Sequence, residues 1–181
     1  MVRHYFLGAN TSEGFYSLYH EFCPAERGVF LWVIKGGPGC GKSSFMKKIG
    51  AAAEEAGLDV EYLQCSADPQ SLDGVYIPQW REGYVDGTSP HVCEARFPGA
   101  CSAYLDLGQF YDRAGLTAHA DEIQKLNLQY TAAYHEAYAH LKRAKLLHDE
   151  LEQVYNPHVD FDGVYRLAQA HIDRLRKKKI D

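Results

Sequence analysis

Residues 36–43 form a glycine-rich segment, Gly-Gly-Pro-Gly-Cys-Gly-Lys-Ser, which matches the phosphate-binding pattern G-x-x-x-x-G-K-[ST] at every fixed position. A continuous run of β-branched, aromatic and other apolar residues at 29–34 precedes it and predicts a buried strand. After it, apolar residues recur at helical spacing up to a helix stop at Gly57. A strand, a glycine loop and a helix in succession are typical of an α/β domain with a P-loop.

Each residue type in this segment has a physical role in phosphate binding. Glycines let consecutive backbone N–H groups converge on phosphate oxygens, and the helix that follows adds the positive end of its dipole. We expect Lys42 to reach the β and γ phosphates of a nucleoside triphosphate, and the Ser43 hydroxyl to ligate Mg²⁺. The predicted nucleotide-binding residues are Gly37, Pro38, Gly39, Cys40, Gly41, Lys42, Ser43 and Ser44.

Composition narrows the class of protein. The 181 residues are 46% hydrophobic with a net charge of -5, as in a mildly acidic globular protein. There is no apolar run long enough to cross a bilayer and no signal-peptide core, so we expect a cytoplasmic protein without a membrane partner. The five cysteines lack C-x-x-C spacing, which favours reduced thiols. Because the chain is acidic, the basic residues at 174–179 favour a helix C-terminus over a nucleic-acid contact.

The pattern of the chain changes near residue 103. Residues 1–103 alternate strand-like and helix-like runs, which predict a P-loop nucleotide-binding α/β core. The expected fold class is the three-layer P-loop NTPase core with a short, mainly parallel sheet of about four strands. Strands are expected at 3–7, 29–34 and 60–65, with a short helix at 15–22.

Residues 104–181 predict a helical region. From Asp121 to Tyr155 the apolar residues step by threes and fours without glycine or proline, which indicates one long helix. Asn156 and Pro157 break the pattern, and Asn156 or Asp160 can cap a second helix, which predicts an antiparallel helical hairpin. At 1.5 Å per residue the first helix spans about 50 Å, so it either projects from the body, packs on another chain or covers one face of the sheet.

A P-loop site needs a carboxylate on the metal, and Asp86 is the best candidate. A Walker B aspartate usually ends an apolar strand that holds the carboxylate opposite the loop hydroxyl. Here only Tyr84 and Val85 precede Asp86 as strand formers, and Gly83 interrupts them. From spacing alone, an Asp-Gly turn is therefore equally well predicted.

Several segments together resemble an uncharacterised bacterial family of P-loop ATPases. They are Gly-Ala-Asn-Thr-Ser-Glu-Gly-Phe at 8–15, the P-loop at 36–43, Cys-Ser-Ala-Asp at 65–68, Ser-Leu-Asp-Gly-Val at 71–75, Ile-Pro at 77–78, and Asp-Gly-Thr-Ser-Pro-His at 86–91. Members of that family look like tandem duplications, in which each half carries a P-loop and a helical stretch lies between the halves. This chain is similar to the first half only.

The resemblance implies roles that the spacing leaves open. It implies that Asp86 joins Ser43 on the metal, and that Thr88 and His91 sense the γ-phosphate or position water. The predicted catalytic residues are then Lys42, Asp86 and His91. The single P-loop indicates part of a longer protein, a natural single-repeat protein, or a homodimer that restores the pair of P-loops.

Three functions are compatible with these features. The favoured one is Mg²⁺-dependent ATP hydrolysis, with ATP preferred because the guanine-reading motif N-K-x-D is missing. The second is a nucleotide or small-molecule kinase in which Asp68 or Asp73 orients an acceptor hydroxyl, although acidic residues before a turn are also ordinary loop residues. The third is a non-catalytic ATP-binding head whose helical arm recruits a partner protein.

Overall fold

The computed structural model describes residues 1–23, 28–89 and 92–178 of the chain. Its strands are β1 (Val2–Tyr5), β2 (Gly8–Thr11), β3 (Gly14–Ser17), β4 (Phe30–Lys35), β5 (Val60–Gln64), β6 (Leu72–Ile77), β7 (Glu82–Asp86) and β8 (Ser102–Asp106). Six of them form one sheet in the order β1-β5-β6-β7-β4-β8, while β2 and β3 form a separate antiparallel hairpin.

The six-stranded sheet is mixed, with one strand reversed. Parallel pairing joins β1 to β5, and β4 to both β7 and β8. The exception is β6, which is antiparallel to β5 and to β7. The prediction of a mainly parallel sheet is confirmed, but the sheet has more strands than expected. Since β6 is reversed, its first residues lie at the edge where the neighbouring strands end.

One face of the sheet is covered by helix α1 (Lys42–Glu55), which follows β4 as predicted. A fully buried Met46 from α1 packs with Ile34 of β4 and Val75 of β6 in this half of the core. These side chains exclude water beneath the first turns of α1. The beginning of the helix is thereby held against the carboxyl end of β4.

The opposite face of the sheet is covered by the segment that follows β3. The expected helix at 15–22 is wrong, because Gly14–Ser17 is β3 and Tyr19–Glu21 is a single turn of 3-10 helix. Tyr19, Phe22 and Cys23 pack in a second buried cluster, with Val33, Leu63 and Val85 from the sheet. The apolar residues of 15–22 are therefore shared between a strand and a tight turn, whereas the prediction had assigned them to one helix.

Two glycines let this segment approach the sheet. A Cβ at Gly83 would overlap Sγ of Cys23, and a Cβ at Gly74 would lie 2.9 Å from the ring of Phe22. Glycine in a strand often marks such a close approach. Gly83 therefore belongs to a genuine strand, although it weakened the prediction of that strand.

The remaining helices are α2 (Arg113–Ala118), α3 (Ala120–Tyr155) and α4 (Phe161–Arg176). The long helix predicted over 121–155 is confirmed, and the Asp160 side chain caps α4 by accepting a hydrogen bond from Gly163 N at 2.8 Å. Among the described residues no side chain of α3 or α4 is buried, and the antiparallel helical hairpin stays a prediction. The sheet also continues beyond residue 103, since β8 ends at Asp106.

Helix α3 contacts strand β2 through Tyr138. The Tyr138 hydroxyl donates a hydrogen bond to Asn10 Oδ1 of β2 at 2.9 Å. The rings of Tyr130, Tyr134 and Tyr138 follow one another along the helix, with centroids 4.8 Å and 5.9 Å apart. No helix within the described ranges is long and apolar enough to span a membrane.

Gly50 tests the packing of α1 on the sheet. Replacing a helical glycine with alanine normally stabilises a protein by about 1 kcal/mol. Here a Cβ would overlap the Tyr62 ring, and overpacking costs about 1–3 kcal/mol, so we expect Gly50→Ala to lower the free energy of unfolding in urea. In a Tyr62→Leu background the same change should instead be stabilising. A gain in stability without the second substitution would contradict the described packing.

Candidate functional site

The candidate site lies where β4 ends. The glycine loop, which we define as residues 36–41, joins β4 to α1. Because β4 pairs in parallel with β7 and β8, the carboxyl ends of all three strands lie at the same edge of the sheet. Asp86 is the last residue of β7, so the structure has a strand where the sequence left a strand and a turn equally favoured.

The glycine loop has a backbone that requires glycine at two positions. Gly39 and Gly41 have φ values of 73° and 91°, in the left-handed region that L side chains rarely adopt. Gly41 is the N-cap of α1, which has no side-chain cap and no acidic residue in its first turn. The positive end of this helix is thus not neutralised by its own residues, a property common to anion sites at helix N-termini.

Lys42 points back into the loop and toward β7. Its Nζ donates hydrogen bonds to the carbonyl oxygens of Gly36 and Gly37, at 3.0 Å and 2.9 Å. It also lies 3.6 Å from Oδ2 of Asp86. The two charged side chains are only 11% and 13% exposed, so this ion pair is well shielded from solvent. The structure therefore brings together two of the three predicted catalytic residues.

Asp86 is held in place by the segment that follows it. Its Oδ1 accepts hydrogen bonds from the backbone N–H of Thr88, at 2.9 Å, and from the Thr88 hydroxyl. The Thr88 hydroxyl thus serves to orient a carboxylate, whereas the resemblance implied a role on the γ-phosphate. The third predicted catalytic residue, His91, lies outside the described residues.

Ser43 is attached to β6. Its Oγ accepts a hydrogen bond from Leu72 N at 2.9 Å, which ties the first turn of α1 to the first residue of that strand. A hydroxyl oxygen that accepts one hydrogen bond has a second lone pair and its own proton. Ser43 can therefore keep this bond while it ligates a cation.

These residues surround a cavity of about 270 Å³. Its lining contains six of the predicted nucleotide-binding residues together with Asp86: Gly39, Cys40, Gly41, Lys42, Ser43 and Ser44. Ser71, Leu72 and Asp73 complete it. The predicted residues Gly37 and Pro38 are not part of the lining.

Asp73 lines this cavity, although the sequence pattern makes it only a weak candidate for a functional residue. It is 4% exposed, and its Oδ2 accepts a hydrogen bond of 2.5 Å from the Tyr19 hydroxyl. Burial, and then the bond to Asp73, raise the pKa of Tyr19 far above its usual range, so Tyr19 stays protonated as a donor. Burial also raises the pKa of the nearby Cys65 thiol.

Tyr111 supports the glycine loop from outside the sheet. Its hydroxyl accepts a hydrogen bond from Gly37 N and stands close enough that a Cβ at Gly37 would lie 3.1 Å from it. The sequence carries no signal for this contact, because Tyr111 follows a turn of 3-10 helix, Leu107–Phe110, far along the chain. The backbone N–H of Gly37 is therefore bound to Tyr111, and this hydrogen bond holds the loop in place.

Comparisons with family models, curated proteins and solved structures found no match to this chain. Within the part of the chain that the structure describes, no group of three or more His, Cys, Asp or Glu side chains is arranged to hold a metal ion by itself. Magnesium sites that also use nucleotide phosphates need only one or two carboxylates. The oxygen donors of Ser43 and Asp86 are of the kind that Mg²⁺ prefers, so these residues fit such a site.

The contact between Tyr111 and Gly37 can be tested by amide exchange. Tyr111→Phe removes the acceptor for Gly37 N–H, and we expect this amide to exchange several-fold faster, with a stability loss of about 0.5–1.5 kcal/mol. The matched control is Tyr16→Phe, at a tyrosine that is 60% exposed, and it should change neither quantity. Equal exchange at Gly37 in the Tyr111→Phe variant and the unmodified protein would contradict the contact.

Proposed function

We propose that this chain binds a Mg²⁺-nucleoside triphosphate, with ATP as the preferred nucleotide, in the cavity beside the glycine loop, and hydrolyses it. One observation carries the proposal. The ammonium of Lys42 and the carboxylate of Asp86 lie 3.6 Å apart at the edge of the sheet, where the glycine loop, with left-handed backbone angles at two glycines, leads into α1. A triphosphate needs the cation and the loop amides, and its metal needs the carboxylate. Few other ligands make use of all three.

Each residue has a definite part in this proposal. The loop amides and Lys42 hold the phosphate oxygens, and Lys42 exchanges its bonds to the Gly36 and Gly37 carbonyls for bonds to phosphate. Ser43 and Asp86 hold Mg²⁺, which when bound neutralises charge on the β and γ phosphates. Thr88 keeps Asp86 oriented.

Substitution of Lys42 tests the nucleotide site. We expect Lys42→Ala to weaken ATP binding at least tenfold and to abolish phosphate release, because the point charge on the phosphates is lost. Calorimetric titration with Mg-ATP and a phosphate-release assay measure the two effects. Lys48→Ala, an exposed lysine of the same helix, is the control and should bind ATP normally. Unchanged binding and turnover in the Lys42→Ala variant would exclude the proposed site.

The helical region supports a second candidate function, in which the nucleotide-binding part carries an arm for a partner chain. Apolar side chains are exposed along both long helices, among them Leu128, Tyr155 and Leu167 at 72%, 64% and 62%. Exposed apolar residues in such number on one region are typical of interaction surfaces. A second copy of the chain, which would restore a pair of P-loops, is the partner that we propose.

Light scattering after size-exclusion chromatography tests this pairing. We expect the mass of two chains, with and without Mg-ATP, because the exposed apolar side chains lie on the helices. Paired substitutions of Leu128 and Leu167 by Ser should reduce the mass to that of one chain without affecting ATP binding. A single-chain mass under every condition would rule out self-association.

A further inference from the structure

We propose that Asp73 is a second carboxylate of the metal site, which together with Asp86 would hold the Mg²⁺ of the bound nucleotide, directly or through a coordinated water. The inference rests on the proposed function, since it concerns the metal that accompanies the nucleotide. It goes beyond the motif, because neither the P-loop pattern nor the segment at 86–91 includes residue 73. Four observations on the described residues support it.

The order of the sheet places the two carboxylates on neighbouring strands near the same edge. The antiparallel register of β6 and β7 pairs Val75 with Tyr84 and Gly74 with Val85. Asp73 and Asp86 are the next residues of the two strands toward this edge, and β6 has a bulge against β5 here, where Leu63 pairs with Gly74 and Gln64 with Leu72. The side chains of Asp73 and Asp86 both line the cavity beside the glycine loop.

Asp73 is buried and oriented. At 4% exposure it is one of the few buried polar side chains among the described residues, and its hydrogen bond from Tyr19 holds one oxygen in a defined direction. Its position on a cavity wall, with an uncharged donor behind it, is the arrangement expected of a metal ligand with a supporting residue.

The charge of the cavity favours a divalent cation. Asp73 and Asp86 are like charges on adjacent strands, and Lys42 is the single cation on the lining of this cavity. Like charges that are held close together repel each other. When Lys42 turns to phosphate, Asp86 loses its ion-pair partner, and the two carboxylates are left on one cavity without that cation. Mg²⁺ bound to the phosphates would then compensate them.

Asp73 is also linked to the serine that is expected on the metal. Leu72 N donates to Ser43 Oγ, so the residue next to Asp73 is in direct contact with that hydroxyl. Ser43, Asp86 and Asp73 thus come from α1, β7 and β6 to one cavity. Two carboxylates together with phosphate oxygens are a common donor set for Mg²⁺.

The test compares ATP binding with and without a metal ion. Fluorescence titrations give the dissociation constant of ATP in excess Mn²⁺, as a probe for Mg²⁺, and in EDTA. Asp73→Asn should weaken binding about tenfold or more with Mn²⁺, and should leave binding in EDTA unchanged or tighter, because a negative charge near the phosphates is removed. A role in folding alone would move the two constants together.

Asp68→Asn is the matched control. Asp68 lies in the connection that leads from β5 into β6, is exposed, and accepts a hydrogen bond from Gln70 N at 3.1 Å that an amide oxygen can also accept. Neither dissociation constant should change in this variant. An unchanged ratio of the two constants in Asp73→Asn would overturn the inference while leaving the proposed function intact. If the unmodified protein bound no ATP under either condition, the proposed function itself would fail.

A second variant covers the case in which Asp73→Asn does not fold, as judged by near-ultraviolet circular dichroism. Tyr19→Phe keeps both carboxylates and removes only the donor that orients Asp73. It should weaken binding with Mn²⁺ about two- to fivefold and leave binding in EDTA unchanged, as expected for a supporting residue. Equal binding by Tyr19→Phe and the unmodified protein in Mn²⁺ would also overturn the inference.

Discussion

The site depends on the parallel pairing of β4 with β7. In this register Ile34 faces Asp86, so the strand that leads into the glycine loop ends beside the strand that ends in a carboxylate. Ile34 and Val85 are fully buried on opposite faces of the sheet, and their packing keeps the register from slipping. The ion pair of Lys42 and Asp86 is a consequence of this pairing, since neither residue is near the other in the chain.

The reversed strand β6 has a comparable effect on the other side of the site. In an all-parallel sheet, the first residues of a strand lie at the edge away from the ligand. The reversal places Leu72 and Asp73 at the carboxyl edge instead, where they line the cavity together with Ser43 and Asp86. The cavity therefore combines a cationic wall, built by the loop and α1, with an anionic wall built by β6 and β7. A metal-phosphate complex has the matching distribution of charge.

The parts of the structure that the sequence predicts well are those set by local patterns. The buried run of β4, the glycine loop and the periodic apolar residues of α3 all appear within a few residues of their expected limits. The prediction of β7 is ambiguous because Gly83 interrupts the strand pattern. Glycine at this position makes room for Cys23, a contact that the sequence does not reveal. Tyr19 contacts Asp73 and Tyr111 contacts Gly37, and because these partners are distant in the chain, the contacts are visible only in the folded structure.

The contact of Tyr138 with Asn10 gives α3 a mechanical property. About 17 residues, or about 25 Å of helix, extend from Tyr138 to the end of α3 at Tyr155. A helix of this length is stiff, so a tilt at the Asn10 contact would displace its far end in proportion to the distance from that contact. A tilt of about 10° there displaces Tyr155 by about 4 Å, roughly the width of a side chain. Small adjustments of the β2–β3 hairpin are thus amplified at the far end of the helix.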